Sequence, residues 1–355
     1  GTYNVRIRDA ADITCEIVLD PALVITQPDK LAGDVASTNV TCYGANDGTI
    51  TITNPQGGYG TYEYSIDGGA NWQAGGSFIS LAPGFYNVMI RDAAHQTCMV
   101  TLNGSLRITE PPVLSANINS TSITCYGSDD GRITITGATG GYGTYEYSID
   151  GGTGWQASGL FENLTPGTYD VRIRDAANQL CVIILNPALG ITEPAALAAT
   201  VTPAMVTCFG ANNGIITITN STGGYGSYEY SINGGGNWSG LNTFSNLAPG
   251  TYNVMMRDAI HQSCVTTLDA ALDITQPAIL HADVDRTNVT CFGGADGTIT
   301  ISNPTGGYGT YEYSVNGGGS WQLAGSFINL GPGNYNVLIR DAAHPSCIIV
   351  LNNAL

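Results

Sequence analysis

The sequence predicts an all-β chain, built as a tandem array of immunoglobulin- or fibronectin-like β-sandwich modules with a rod-like outline. Three observations predict this class. One period of 83 residues runs through the whole chain, apolar and polar residues alternate along short segments, and glycine- and proline-rich turns separate those segments. No segment has the 3.6-residue spacing of an amphipathic helix.

The period is carried by cysteine and tryptophan. The nine cysteines are spaced by gaps of 27 and 56 residues in alternation, and the tryptophans and the Gly-Gly-Tyr-Gly runs keep the same period. The predicted domains are repeat 1 (29–111), repeat 2 (112–194), repeat 3 (195–277) and repeat 4 (278–355), which is truncated at its end. Residues 1–28 are the C-terminal part of a preceding repeat, so we interpret the chain as a window on a longer array.

The strands are predicted from two-residue alternation bounded by turn residues. In Thr49–Thr53, for example, isoleucines point to one side and threonines to the other. Repeat 2 is predicted to hold strands at about 113–120, 131–137, 144–150, 154–157, 160–164, 168–174 and 181–186. Six or seven short strands per repeat are typical of an immunoglobulin-like sandwich. The proline-containing linkers, such as Ile108–Pro112, are expected to be semi-rigid.

Two cysteines per small module indicate disulfides and an oxidising compartment. A zinc site is disfavoured because there is no C-x-x-C pair and the repeated histidines (His95, His261, His344) are replaced by Asn178 in repeat 2. Loop entropy changes too slowly with length to choose the partners. Because a proline-marked boundary interrupts each 27-residue span, we expect pairing within repeats: Cys42 with Cys98, Cys125 with Cys181, Cys208 with Cys264, and Cys291 with Cys347. Cys15 would then have its partner upstream.

The charge balance excludes several partners. Eleven basic and 28 acidic residues give a net charge of −17, with Lys30 as the single lysine. Such a surface repels nucleic acid and anionic lipid, since phosphate binding needs clusters of Lys and Arg. No apolar run is long enough to span a membrane, so no membrane insertion is expected in this segment.

The hairpin around the repeated tryptophan has two interpretations. Ser65, Asp67 and Trp72 follow the spacing of an Asp-box, in which the carboxylate binds turn amides and the indole packs the hairpin onto the sheet. We favour this structural role because Asn233 and Asn316 replace the aspartate in repeats 3 and 4. The alternative is a glycan-stacking platform made by the single tryptophan of each repeat, namely Trp72, Trp155, Trp238 and Trp321.

The other polar groups suggest no catalysis. The turns at Asp47, Asp129-Asp130 and Asp296 have oxygen ligands suited to calcium, but Asn213 in repeat 3 favours simple turn formation. We expect no cofactor, with calcium as the alternative. Each Arg-Asp pair at a strand end (Arg91-Asp92 and its equivalents) is expected to form a local ion pair or to tether a loop. The histidines have no repeated nucleophile beside them, so no enzymatic activity is expected.

The run Val40–Ile50 resembles the opening of the SprB repeat. The later segments Gly-Gly-Tyr-Gly-x-Tyr-x-Tyr-Ser, Leu-x-Pro-Gly-x-Tyr-x-Val and Arg-Asp-x-x-x-x-x-Cys resemble it too, in every copy. SprB repeats occur in giant cell-surface adhesins of gliding Bacteroidetes. The resemblance implies type IX secretion, an extracellular location at the cell surface, and a role in adhesion or gliding motility.

Three functions follow as hypotheses. The first is the structural stalk of a secreted surface adhesin, in which each repeat contacts its neighbours along the same chain. The second is a self-assembling extracellular filament, in which repeats pack against other copies of the chain. The third is a multivalent glycan-binding array. Apolar strips on the sheet edges would favour the filament, and exposed tryptophans would favour the array.

Overall fold

The computed structural model describes all 355 residues and contains only strands, turns and loops. None of its segments is a helix of the length and apolar character needed to cross a membrane. Two compact units make up the chain: the first comprises residues 1–121 and 132–191, and the second comprises residues 122–131 and 192–355. Each unit holds more than one repeat, so the boundaries at 28, 111, 194 and 277 stay predictions.

Each repeat has six strands. The N-terminal fragment forms a hairpin of β1 (Thr2–Arg8) and β2 (Glu16–Val24). Repeat 1 has β3 (Ala32–Thr38), β4 (Gly48–Gln56), β5 (Tyr62–Ser65), β6 (Ser77–Leu81), β7 (Gly84–Asp92) and β8 (Met99–Ile108). Repeat 2 has β9 (Ser115–Thr121), β10 (Gly131–Thr139), β11 (Tyr145–Ser148), β12 (Leu160–Leu164), β13 (Gly167–Asp175) and β14 (Val182–Ile191).

Repeats 3 and 4 follow the same order. Repeat 3 has β15 (Ala198–Ala204), β16 (Gly214–Thr222), β17 (Tyr228–Ser231), β18 (Thr243–Leu247), β19 (Gly250–Asp258) and β20 (Val265–Ile274). Repeat 4 has β21 (His281–Thr287), β22 (Gly297–Thr305), β23 (Tyr311–Ser314), β24 (Ser326–Leu330), β25 (Val337–Asp341) and β26 (Ile348–Asn352). The segment predicted as a strand at 154–157 is reduced to one bridge between Tyr147 and Gln156.

The strands of a repeat form two three-stranded antiparallel sheets. In repeat 1 their orders are β3-β4-β6 and β5-β7-β8. These orders are those of strands A-B-E and C-F-G in an immunoglobulin fold that has lost strand D. The prediction of an all-β, immunoglobulin-like array is therefore confirmed.

The core lies between the two sheets of each repeat. In repeat 1 Ile50 and Ile52 of β4 meet Val88 and Ile90 of β7, and all four are buried. Their neighbours Thr49 and Thr51 point away from this core, as the two-residue alternation predicts. Each fully buried aliphatic side chain stabilises the fold by about 2 kcal/mol.

The loops of a repeat lie at two opposite ends. β4 runs from the loop that carries Cys42, the first-cysteine loop (residues 39–47 and equivalents), to the Gly-Gly-Tyr-Gly loop, the tyrosine loop (residues 57–60). β7 ends beside the tyrosine loop, where it enters the second-cysteine loop (residues 93–98). The first-cysteine loop and the second-cysteine loop of one repeat are therefore separated by the length of β4, about 30 Å at 3.3 Å per residue.

Candidate functional site

The first-cysteine loop is held by two side chains. The Asp47 carboxylate accepts hydrogen bonds from the backbone amide and the hydroxyl of Thr41. The Glu110 carboxylate in the linker accepts a 2.8 Å hydrogen bond from the amide of Gly44. Because Cys42 lies between these two attachments, the loop presents its sulfur in a defined position.

The acidic turns thus have a structural role, because each carboxylate ties the start of its loop to the end. Thr124 donates to Asp130 and Thr290 donates to Asp296 in the same way, and Asn213 replaces the carboxylate for Thr207 in repeat 3. The Thr41 hydroxyl also holds the pKa of Asp47 below its usual value of 3.8. No group of three or more His, Cys, Asp or Glu side chains is placed to hold a metal ion.

A buried aspartate organises the opposite end of each repeat. Asp175 is inaccessible to solvent and accepts hydrogen bonds from the amides of Tyr142, Ala177 and Asn178. It thereby joins the tyrosine loop to the second-cysteine loop. Asp92, Asp258 and Asp341 are buried in the same way, and the Tyr59 amide, with the amides of His95 and Ala94, lowers the pKa of Asp92. The prediction of a loop tether is confirmed.

The same aspartate explains the paired glycines of the tyrosine loop. Gly141 has φ +56°, and a Cβ added there would lie 2.3 Å from Asp175 Oδ2. A Cβ on Gly140 would lie 2.0 Å from the carbonyl oxygen of Val113. Only glycine combines this backbone conformation with so close an approach.

The arginine of each Arg-Asp pair does not bind its neighbour. Arg91 Nε donates to Glu63 Oε2 across the sheet at 2.6 Å, and the guanidinium carbon lies 4.4 Å from the centre of the Trp72 ring. The arginine therefore forms its ion pair with Glu63 of the neighbouring strand and not with Asp92. The physical reason is strand alternation, since Arg91 points outward where Asp92 points into the loops.

The tryptophan hairpin has the predicted Asp-box geometry. Ser65 Oγ donates to Asp67 and accepts from the Gly69 amide, and Asp67 accepts from the Asn71 amide at 2.9 Å. Trp72 Nε1 donates to the Gly69 carbonyl, and its ring is half-buried. An arginine covers one ring face in every repeat, at 4.3–4.5 Å from the ring centre. The glycan-stacking role of the tryptophans stays a prediction, and it is limited to the ring face that the arginine leaves uncovered.

Disulfides join successive repeats in one register, which means that the same two positions of the repeat are bonded each time. They link Cys42 with Cys181, Cys125 with Cys264, and Cys208 with Cys347, each across 139 residues with Cα atoms 5.2–5.3 Å apart. Each bond joins the first-cysteine loop of one repeat to the second-cysteine loop of the next. Cys15, Cys98 and Cys291 are free and exposed.

The predicted pairing within repeats is wrong. Cys42 and Cys98 lie at opposite ends of repeat 1, about 30 Å apart by the length of β4. The same holds for the expected pairs of Cys125 with Cys181, Cys208 with Cys264, and Cys291 with Cys347, because every repeat has the same strand order. A disulfide requires Cα atoms within about 7 Å. The sandwich fold therefore excludes a disulfide between the two cysteines of one repeat, although the cysteine spacing allows it.

Hydrogen bonds accompany each disulfide. The Tyr142 hydroxyl donates to the Thr41 carbonyl at 3.1 Å, and Asn178 Nδ2 donates to the same oxygen at 3.4 Å. Cys181 Sγ lies 3.2 Å from this carbonyl. At the other two junctions Tyr225 donates to Ile123 and Tyr308 donates to Val206. The tyrosine of the tyrosine loop is thus a junction residue, although its sequence pattern indicates only a turn.

Two further residues were missed. Glu110 lies in a linker whose sequence predicts no contact, yet it binds the first-cysteine loop. Glu193 and Gln276 recur at its position and bind Gly127 and Gly210. Tyr86, at the start of β7, donates to the Ala82 carbonyl at 2.8 Å and forms the tyrosine corner of immunoglobulin folds. Recurrence at the 83-residue period was the available signal for both.

The strand order and the junctions define a class: a protein of immunoglobulin-like β-sandwich repeats, each covalently linked to the next. The SprB repeat family matches the chain four times, at residues 35–71, 117–154, 198–237 and 284–320. The chain therefore carries four SprB repeats, and the expected resemblance is confirmed. Each match begins in the first strand of a repeat and ends at the residue before the tryptophan. SprB repeats are a feature of cell-surface proteins, and this is a surface repeat protein.

Two solved structures have a limited likeness to the chain. The three N-terminal domains of the outer capsid protein Hoc from bacteriophage RB49 are 13% identical, with a TM-score of 0.29 over 69% of this chain and 87% of theirs. The bacterial integrin-binding protein invasin is 12% identical, with a TM-score of 0.33 over 91% and 79% of the two chains. At such TM-scores the fold assignment depends on the strand order of the chain itself. A comparison with curated protein sequences gives no match.

Proposed function

We propose that this chain is the stalk of a secreted cell-surface adhesin, serving surface attachment or gliding, and that it has no enzymatic activity. The observation that carries the proposal is the disulfide register. Every bond joins one repeat to its successor across 139 residues. A stalk transmits force from the cell to the attached surface, and covalent links between repeats allow this force to bypass the folded cores.

The disulfides between repeats stabilise the folded chain substantially. Closing a 139-residue loop contributes about 5 kcal/mol by the chain-entropy relation, more than the 27- or 56-residue loops would. The bonds also imply an oxidising compartment, which supports an extracellular location. The net charge of −17 supports a soluble, well-hydrated surface structure that does not adhere to nucleic acid or anionic lipid.

Attachment under flow tests the stalk. In cells that display the protein, we replace the bonded cysteines by serine (Cys42, Cys125, Cys181, Cys208, Cys264 and Cys347). We expect retention on a surface under shear to fall several-fold while static attachment stays unchanged, because ligand recognition does not depend on the covalent route. The matched control is Ile79→Ser, which replaces an exposed side chain that takes no part in a disulfide.

Surface abundance, measured with an antibody, must be equal for the variants compared. Unchanged retention of the serine variant under shear would contradict the proposal. An equal loss of attachment under static and flowing conditions would also contradict the proposal. That result would show that these repeats recognise the surface and do not transmit force.

A self-assembling extracellular filament is the second candidate. Exposed aliphatic side chains along the last strand of repeats 2 and 4 favour it, including Val182, Ile184, Ile348 and Val350. Electron microscopy of the purified chain over a range of concentrations, with calcium and with a chelator, distinguishes the candidates. Ordered fibres that lengthen with concentration under reducing conditions would favour the filament, and separate particles at every concentration would favour the stalk.

A further inference from the structure

We propose that the cleft beside each disulfide between repeats admits a small cationic thiol, which opens the junction through a mixed disulfide on the first-cysteine loop. Both cysteines of the local disulfide line each of the three clefts. The other walls also come from equivalent positions, namely an aromatic residue of the first-cysteine loop and the proline of the linker between the repeats. We call the junctions first (Cys42–Cys181), middle (Cys125–Cys264) and last (Cys208–Cys347).

The two sulfurs of each disulfide differ in access. In every junction the cysteine of the first-cysteine loop is half-buried. The cysteine of the second-cysteine loop is buried in all three (Cys181 6%, Cys264 6% and Cys347 7% exposed). An attacking thiolate therefore reaches the sulfur of the first-cysteine loop, and the cysteine of the second-cysteine loop becomes the leaving group.

The leaving cysteine already has a hydrogen-bond acceptor beside it. In the middle junction Cys264 Sγ lies 3.2 Å from the carbonyl oxygen of Thr124, and the equivalent distances in the first and last junctions are also 3.2 Å. Once it is released and protonated, this thiol donates an S–H···O hydrogen bond to that carbonyl. The contact keeps the released sulfur near its former partner, so the reverse exchange follows the same route.

Hydrogen bonds that involve no sulfur hold the repeats together when a disulfide opens. The Tyr142 hydroxyl donates to the Thr41 carbonyl in the first junction, and the Tyr308 hydroxyl donates to the Val206 carbonyl in the last, each at 3.1 Å. Both bonds cross from one repeat to the next. An opened junction therefore keeps its two cysteines in position to close again.

The middle junction illustrates the chemistry. The thiolate of the small thiol attacks Cys125 Sγ and forms a new S–S bond, and the electron pair of the broken bond leaves with Cys264 Sγ. The proton that the small thiol lost passes to this thiolate through water. A second small thiol then attacks the mixed disulfide and releases Cys125. The two cysteines are thereby reduced, and two small thiols are oxidised to one disulfide.

The charge of the chain favours a cationic thiol. The net charge is −17, and the Asp130 carboxylate lines the middle cleft. The ammonium group of cysteamine offsets the charge of its own thiolate, whereas glutathione carries a net negative charge. An acidic surface attracts the first reagent and repels the second.

The middle cleft is the most open of the three. Its volume is about 540 Å³, compared with about 230 Å³ in the first junction and about 180 Å³ in the last. Ala196 lines the middle cleft where the larger Ile279 lines the last. Pockets that hold small molecules have volumes of about 300–1,000 Å³. The middle disulfide is therefore expected to exchange first.

The test follows each disulfide of the folded chain during reduction. A C15S/C98S/C291S background leaves only the six bonded cysteines to react. After incubation with cysteamine, acid quenching and alkylation, mass spectrometry identifies each opened bond and each mixed disulfide. We expect the middle disulfide to open about fivefold faster than the other two, because access sets the rate. The mixed disulfide should lie on Cys125 and not on Cys264.

Glutathione is the matched probe for charge. At equal thiolate concentration and low salt, we expect it to open the middle disulfide about fivefold more slowly than cysteamine does. The difference should shrink at 0.15 M salt, where the screening length falls to about 8 Å.

Two reciprocal variants test the cleft itself. A196I gives the middle cleft the side chain of the last cleft, and I279A makes the reverse change. Both residues are exposed, so the cores stay intact. We expect A196I to slow opening of the middle disulfide about threefold, and I279A to speed opening of the last disulfide by a similar factor. The other two disulfides of each variant should open at their wild-type rates.

Opening through unfolding is the competing route, and low concentrations of urea distinguish it. Because the free energy of unfolding falls linearly with urea, reduction through unfolding accelerates exponentially from the lowest concentrations. Entry through the cleft gives a rate that low urea leaves unchanged.

Urea-dependent opening would overturn the inference, as would a mixed disulfide on Cys264, wild-type rates in A196I and I279A, or faster opening by glutathione than by cysteamine. The inference goes beyond the proposed function, because exchange is measured on the purified chain and attachment under shear on cells. Failure of one therefore leaves the other intact.

Discussion

At the residue scale, a few polar side chains determine the loops that form the junctions. Asp92 and its equivalents are buried carboxylates that accept hydrogen bonds from several backbone amides, and a buried charge requires such partners. Asp67 plays the corresponding role at the surface, where it orders the hairpin below Trp72. These hydrogen bonds hold the loops of the repeat in place.

The protonation of Asp67 gives a prediction for acid. The Asn71 backbone amide, with the side chains of Asn71 and Ser65, lowers the pKa of Asp67 from 3.8 to about 2. Because the folded pKa is the lower one, this carboxylate stabilises the hairpin fully above pH 3.8, and the contribution is lost as the pH falls to about 2. We expect a carboxyl NMR titration of Asp67 with a midpoint near 2.

Repeat 4 supplies the control within the same chain. Asn316 occupies the Asp67 position there and makes the same bond to the Ser320 amide without a titrating group. The D67N variant should therefore leave the hairpin formed at neutral pH and remove its acid-dependent change. A midpoint near 3.8 for Asp67 would show that the Asn71 amide does not bind the carboxylate.

At the element scale, the tyrosine corner fixes the start of the fifth strand. Tyr86 donates to Ala82, and Tyr169, Tyr252 and Tyr335 make the equivalent bond in the other repeats. The turn before β7 is thereby closed onto the strand. This contact positions β7, whose other end carries Asp92 and the second-cysteine loop.

Removal of one hydroxyl tests the corner. Y86F should lower the opening free energy of β7 by about 1 kcal/mol, the usual net value of one hydrogen bond, and so speed amide exchange in that strand about fivefold. Y59F is the matched control, because the Tyr59 hydroxyl has no acceptor in the chain. Equal exchange rates in the two variants would contradict a stabilising role for the corner.

At the scale of the whole molecule, the three overlapping disulfides shorten the covalent route between the chain ends. With all bonds intact this route follows residues 1–42, 181–208 and 347–355. At about 3.5 Å per residue it measures about 280 Å, against about 1,200 Å for the reduced chain. Most of the chain is therefore shielded from tension even when its repeats unfold.

Single-molecule stretching checks this route. We expect the oxidised chain to stop extending at about 280 Å, and the C42S/C181S variant at about 660 Å. The shortest route of the variant uses both remaining disulfides and follows residues 1–125, 264 back to 208, and 347–355. The C125S/C264S variant is the matched control, since its bond lies off the shortest route and its removal should change nothing. Oxidised and reduced chains of equal length would refute the disulfide register.

The sequence by itself determined the period, the all-β class and most strands, because alternation and turn residues are local signals repeated four times. It also indicated the Asp-box hairpin and the loop-tethering aspartate. Tertiary structure decided the disulfide partners, since a spacing of 56 residues says nothing about which ends of a sandwich two loops occupy. It also decided that Arg91 binds Glu63 and that Tyr142 binds the preceding repeat, because these contacts join residues that only the folded chain brings together.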